Sequence, residues 1–147
     1  MAAKLYAQFP LNLGGGDAEA EGGMDLLSNT IKLQLMTTHT VTQTGDAVLA
    51  DITGTEASQT GYSAGGATLG AKTYTTSSLV TTFDNTADIT WTITGALTVV
   101  NGILYNDTPT SPADPLIMYD DFGTQTVTNA VFTYTPNASG FFTLTVA

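Results

Sequence analysis

The chain has no cysteine and no arginine, and its 147 residues include one histidine, His39, and three lysines, Lys4, Lys32 and Lys72. Without cysteine there are neither disulfides nor thiolate metal ligands, a composition compatible with folding in a reducing cytoplasm. Three lysines cannot assemble a basic face, and nucleic-acid binding depends on Lys and Arg displacing counterions from phosphates. With 13 Asp plus Glu the formal charge is −10, which disfavours nucleic acid and anionic membranes and suits a basic partner or plain solubility. Long apolar runs are absent as well. The longest candidate, Leu97–Tyr105, is broken by Asn101 and Gly102, well short of the roughly 18 residues of a membrane span. Met1–Tyr6 lacks the apolar core of a signal peptide. The expectation is a protein made in the cytoplasm and soluble there.

What remains is apolar enough to fold. Hydrophobic residues make up 42% of the chain and charged ones 11%, so a disordered acidic tail is excluded and one domain is expected. Threonine occurs 29 times. It is β-branched and loses side-chain freedom in helices, which tilts the chain toward strands. Periodicity agrees: Ile31, Leu33 and Leu35 alternate with polar residues, as do Ile89, Trp91 and Ile93, and Phe142, Leu144 and Val146, the pattern of strands with one face inward. Further strands are predicted over 71–76, 79–84, 97–105, 115–122 and 130–135. Turn-rich pieces separate them at Asp84-Asn85, Asn106-Asp107, Pro109–Pro115, Phe122-Gly123 and Pro136–Gly140. Eight or nine short strands predict an all-β fold, a single antiparallel β-sandwich or jelly-roll-like domain over 24–147. Helix is expected only as a turn near 17–21 or 24–27.

The first 23 residues read differently. Leu5, Tyr6, Phe9, Leu11 and Leu13 form an apolar extended piece, followed by Gly14-Gly15-Gly16 and the acidic, glycine-flanked stretch 17–23. An apolar segment before such a linker must be covered. It is either the domain's own first strand or an extended N-terminal arm laid on a neighbour. The arm reading makes Leu5, Tyr6, Phe9 and Leu11 intersubunit or capsid contacts, and predicts that deleting 1–23 leaves a folded domain.

Each candidate for chemistry has an ordinary explanation. Gly61-Tyr62-Ser63-Ala64-Gly65 matches the Gly-x-Ser-x-Gly pattern of serine hydrolases, but that elbow needs a buried strand before the serine and a helix after it. Neither is predicted, and the single histidine precedes the serine. His39 has no partner histidine or cysteine, which is weak support for a metal or a general base. The carboxylates cluster in turns (Asp84 and Asp88, Asp107, Asp120 and Asp121), where Asp caps backbone N–H groups. Such oxygens suit Ca²⁺, yet no EF-hand spacing is present. Asn106-Asp107-Thr108 and Asn137-Ala138-Ser139 fit the glycosylation pattern and read as turns. Tyr62, in the glycine-rich loop, is the aromatic expected to be exposed for contact. No enzyme, cofactor or metal site is predicted.

Several of these segments resemble small structural proteins of tailed phages. They are the run Ile52–Leu69 with its Gly-Tyr-x-Ala-Gly-Gly-Ala-x-Leu, the strand centred on Trp91, Ile103-Leu104-Tyr105-Asn106-Asp107, then Asp114-Pro115-Leu116-Ile117-Met118-Tyr119-Asp120-Asp121-Phe122-Gly123, and the closing Gly140-Phe141-Phe142-Thr143-Leu144. The resemblance covers about residues 30–147. It implies a virion protein of the capsid decoration (cement) type on the capsid exterior. Its partners are then the major capsid protein and further copies of itself, typically as a trimer. An alternative implied by the same resemblance is a tail, head-fibre or baseplate domain that recognises a host surface glycan through loops 61–66 and 107–114.

Overall fold

The computed structural model describes residues 2–13 and 24–145. The fold is all-β. Eleven strands appear among the described residues, and the helical elements are the five-residue α1 (Phe9–Leu13) and one 3₁₀ turn at Leu49–Asp51. The strands are β1 (Ala2–Leu5), β2 (Ile31–Thr40), β3 (Thr53–Glu56), β4 (Ala67–Thr68), β5 (Lys72–Ser77), β6 (Val80–Asn85), β7 (Ile89–Thr92), β8 (Ala96–Asn106), β9 (Leu116–Thr128), β10 (Val131–Tyr134) and β11 (Phe142–Thr145). A large antiparallel sheet has the order β1-β9-β8-β2-β3, with β4 also paired to β2. Two small sheets, β10-β7 and β11-β6-β5, form the second layer, and their apolar side chains share one core with the large sheet.

Alternation decides which side chains enter that core, except at Ile117, where β9 takes an extra residue between Leu104↔Met118 and Tyr105↔Leu116. Ile31, Leu33 and Leu35 of β2, Leu97, Val99 and Leu104 of β8, and Ile117 and Met118 of β9 meet Phe83, Ile89, Trp91, Tyr134 and Phe142 of the second layer. The large sheet is covered on its other face too. Tyr6, Met36, Ile103, Tyr105, Leu116 and Tyr119 form a separate buried cluster, packed by Val41, Leu49 and Ile52. The segment 41–52 lies over it, braced by its own carboxylates. Asp46 accepts from the Thr42 amide at 3.0 Å, and Asp51 from the amides of Ala47 and Val48 at 3.0 and 3.1 Å. Those backbone bonds hold the Asp51 carboxyl below its ordinary range, the capping use of Asp expected for turns.

One ribbon builds both layers. The β8·β9 ladder runs out to Ala96↔Thr128, and the same two chain segments resume as β7·β10 from Thr92↔Val131. The corner between them is hydrogen-bonded throughout: Asn129 N–H to Gly95 O at 2.9 Å, Ile93 N–H to Ala130 O at 3.0 Å, and Gly95 N–H to Asn129 Oδ1 at 2.8 Å. A ribbon turned through a bonded corner carries its inward residues from one sheet to the other, which is how one β-sheet becomes two packed layers.

The N-terminal segment is the domain's own first strand. β1 pairs with β9, Ala2 opposite Asp121 and Leu5 opposite Met118. Tyr6 and Phe9 are both fully buried, and they enter different cores. Tyr6 stacks edge-on to Tyr119 at 5.6 Å in the outer cluster, and Phe9 edge-on to Phe142 at 5.0 Å in the inner one. The segment therefore wraps the sheet edge like a clasp. The extended arm of the sequence reading is corrected over residues 2–13, because this stretch pairs with β9 and buries Tyr6 and Phe9 in the chain's own two cores. The Leu11 side chain and the expected turn over 17–21 lie outside the described residues. At Met24–Leu27 there is no helix; Asp25 caps the amides of Leu27 and Ser28 in a turn instead.

Candidate functional site

The glycine-rich loop 61–66 is a tie between layers. Gly61 has φ +96°, and a Cβ there would lie 1.8 Å from the Thr92 carbonyl oxygen; Gly66 has φ +79°, with 2.0 Å to the Leu33 oxygen. Both positions require glycine, for the left-handed backbone and for the close approach. One end of the loop thus presses on β7 and the other on β2. Between them Tyr62 turns inward. Its hydroxyl donates to Glu56 Oε1 at 2.9 Å and accepts from the Leu35 amide at 3.0 Å, and its ring lies 6.0 Å from Trp91. Burial, with Glu56 beside it, pushes the phenol well above its ordinary value. Glu56 also accepts from Gly65 N–H, and Tyr105 donates to Gly65 O at 2.8 Å.

Tyr62 is thereby corrected from an exposed contact to a half-buried internal strut. Ser63 is exposed beside it, with no helix following the loop. Removing the hydroxyl in Tyr62→Phe is expected to cost about 1–3 kcal/mol, since the Leu35 amide and Glu56 both lose a bond. Urea denaturation measures this as a lower midpoint at an unchanged slope.

His39 pairs with Asn101 at 2.9 Å between Nδ1 and Nδ2, with the ring edge-on to Tyr119 at 6.3 Å. Burial lowers its pKa, against smaller opposing effects of the Asn101 bond and of Asp46. The unfolded chain therefore takes up a proton before the folded one as pH falls through about 6.5. Stability rests on the neutral ring and is expected to decline between about pH 7 and 5. His39→Gln should flatten that part of the melting-temperature profile, measured across the same range.

The other expected residues are dispersed. Leu5 is half-buried, and Tyr6 and Phe9 are buried, as described. Asp107 pairs with Lys32 at 2.7 Å. Asp114 lies nearby, its carboxyl raised by burial first and by Asp107 second. Asp120 accepts from Tyr134 at 2.8 Å, and its second oxygen is buried without a hydrogen-bond partner. Among the described residues no three His, Cys, Asp or Glu side chains converge as metal ligands. No described helix is long and apolar enough to cross a membrane.

Two surface features were not anticipated. The first is an open cleft of about 320 Å³ between β9 and β10, lined by Phe122, Gln125, Phe132, Thr133, Tyr134 and Thr135. It lies where β9 runs on past Asp121, the last residue opposite β1. The second is the tip of the β5–β6 hairpin, where Leu79 is 60% exposed and Val80 follows it at 36%. Sequence reading placed Leu79 in a strand and put a turn at Phe122-Gly123. Leucine in a two-residue turn after two serines was the available signal for the tip. No family model, curated protein or solved structure matches the chain.

Proposed function

We propose that the protein is a non-catalytic structural component of a tailed-phage virion, which decorates the capsid exterior as a trimer and bridges major capsid protein subunits. The observation that carries this reading is how the surface is divided. From residue 73 to 145 the charged side chains are Asp84, Asp88, Asp107, Asp114, Asp120 and Asp121 alone. Apart from Asp120 and Asp121 within β9, and Asp107 and Asp114 in the turn before it, the ribbon of β7 to β10 exposes Thr90, Thr92, Thr98, Thr124, Thr126, Thr128 and Thr133. A bridging protein needs one surface that repels its own kind at high copy number and one that tolerates close contact. The acidic side chains serve the first need, and the uncharged threonine side chains serve the second, because burying them desolvates no ion. Bonded layers and a clasped terminus fit a part that must resist being pulled apart.

The segments that resemble phage structural proteins fall in these stiff elements. Ile52–Leu69 spans β3, the tie and β4, and 103–107 ends the central strand. Co-sedimentation of the purified protein with empty, undecorated tailed-phage capsids tests the reading. Saturation at a symmetry-allowed number near the count of capsid subunits is expected. No binding, or a few copies per particle, would remove the decoration role and turn attention to tail or fibre.

A further inference from the structure

A lysine and two aspartates converge where β2 begins. Lys32 stands opposite Tyr105 of β8, Asp107 follows β8 directly, and Asp114 comes just before β9. Lys32 Nζ is 2.7 Å from Asp107 Oδ2, and the Asp107 carboxyl is hydrogen-bonded to that of Asp114. Two carboxyls share a hydrogen bond only when one of them holds a proton. Burial raises Asp114 above the ordinary carboxylate range, and Asp107 adds to this against the opposing effect of Lys32. Asp114 is therefore the one that holds it. The order is amine against carboxylate, and carboxylate against acid.

The backbone fixes all three. Lys32 is held in the ladder between Thr68 of β4 and Tyr105 of β8. Asp107 N–H donates to Thr30 O at 2.8 Å, Thr30 N–H to Thr108 Oγ1 at 2.7 Å, and Leu49 N–H to Asp114 O at 2.9 Å. Asp114 has φ +53°, a left-handed conformation that its surroundings must maintain. A Cβ at Gly65 would lie 3.9 Å from Lys32 Nζ and 3.3 Å from the Tyr105 hydroxyl, so the tie roofs the amine. The Lys32 and Asp107 side chains are left 25% and 34% exposed. An ion pair alone gains little from such fixing, since ordering two side chains offsets the attraction. Reacting groups gain far more: alignment at about 3–3.5 Å is worth an effective concentration of about 10⁵ M or above.

We infer that Lys32 and Asp107 condense into an isopeptide bond, with Asp114 as the acid that carries protons between the reacting atoms. The ammonium first passes a proton to Asp107 Oδ2, which leaves a neutral amine beside a neutral carboxyl. Nζ then attacks Asp107 Cγ. Asp114 gives its proton to the departing oxygen and takes one from the nitrogen, so it ends as it began. A C–N bond replaces a C–O bond and one water leaves; nothing is oxidised or reduced, and no co-reactant is consumed. The bond ties β2 to the turn after β8, and it stands whether or not the protein decorates capsids.

The intact mass of the purified full chain tests this. After incubation at neutral and mildly acidic pH, the wild type is expected about 18 Da below its sequence mass, one water lost. In a chain without arginine, trypsin cuts after Lys4, Lys32 and Lys72. With the bond formed Lys32 is no longer cut, and the peptides on either side of Lys72 stay joined in denaturant. Lys32→Arg, which keeps the ion pair, should retain its full mass. Asp114→Asn keeps a residue that tolerates the left-handed backbone, and should slow bond formation by about 100-fold or more. A wild type at full mass at every time point overturns the bond and leaves an ordinary ion pair. So does a water loss with Lys32 still cut by trypsin, which marks an aspartyl imide instead. Asp114→Asn that reacts at the wild-type rate overturns the role given to Asp114. Capsid attachment is read separately by co-sedimentation, so failure of one reading does not carry over to the other.

Discussion

Gly66→Ala is expected to destabilise the domain by more than about 3 kcal/mol, enough to leave much of it unfolded at 37 °C. The new methyl would lie 2.0 Å from Leu33 O, 2.6 Å from its carbonyl carbon and 2.7 Å from Gln34 Cα. All three are backbone atoms of a strand held between β4 and β8, so no side chain can swing aside. To this clash is added the left-handed φ, which costs a non-glycine residue about 1 kcal/mol or more. Gly61→Ala should behave alike through Thr92 O. Ser63→Ala, between them and exposed, should stay within about 0.5 kcal/mol. Thermal melts of the three variants separate the readings of the loop. A tolerant Gly66 beside a sensitive Ser63 would contradict the layer tie.

Phe9→Ala should cost about 3–5 kcal/mol, the usual range for a buried phenylalanine whose site cannot collapse. Phe142 holds one side of the site through the edge-on contact, and Phe142 is itself fixed by Phe83 at 5.5 Å. The loss should spread beyond the cavity, because Phe9 anchors the far side of the clasp. With it gone, β1 remains tied by its ladder to β9 and by the bond from Gln43 Nε2 to Leu5 O at 2.6 Å. Deletion of residues 1–23 should therefore unfold the domain or leave it only marginally stable. A free arm would have left it intact. Guanidinium titrations of both proteins decide the matter, and a truncated chain with wild-type stability would refute the clasp.

Much of the fold could be read from alternation. Ile89, Trp91 and Ile93, and Phe142 with Leu144, face inward or half-inward as the period of two requires. The strand spans agree within a residue or two at β5, β6, β7, β8 and β10. Alternation failed where both faces of a strand are covered. Gln34 and Met36 are buried on the outer face of β2, and nothing local in 41–52 announces that it will fold back over them. It failed again at Phe122-Gly123. These residues look like a turn, but β9 continues through them, taking two more residues than β8 between Asn101↔Asp121 and Val99↔Gln125. A bulge of this kind is chosen by the partner strand and the twist of the sheet. Loop 61–66 is legible in the sequence as glycine-rich, but its Tyr62, expected at the surface, turns inward. Glycines set how closely a loop can approach; which side chain then fills the space beneath depends on Glu56 and on Trp91, the latter distant in sequence.

The bonded corner at Gly95 and Asn129 leaves no hinge between the layers. Separating them means breaking Ile93 N–H to Ala130 O and Asn129 N–H to Gly95 O together with the core they enclose. Amide exchange at Ile93 and Asn129 should then proceed only through global opening, at the same free energy as amides of the central strand. Under load, such a ribbon transmits force along its backbone from one layer to the other, and the domain yields all at once or not at all.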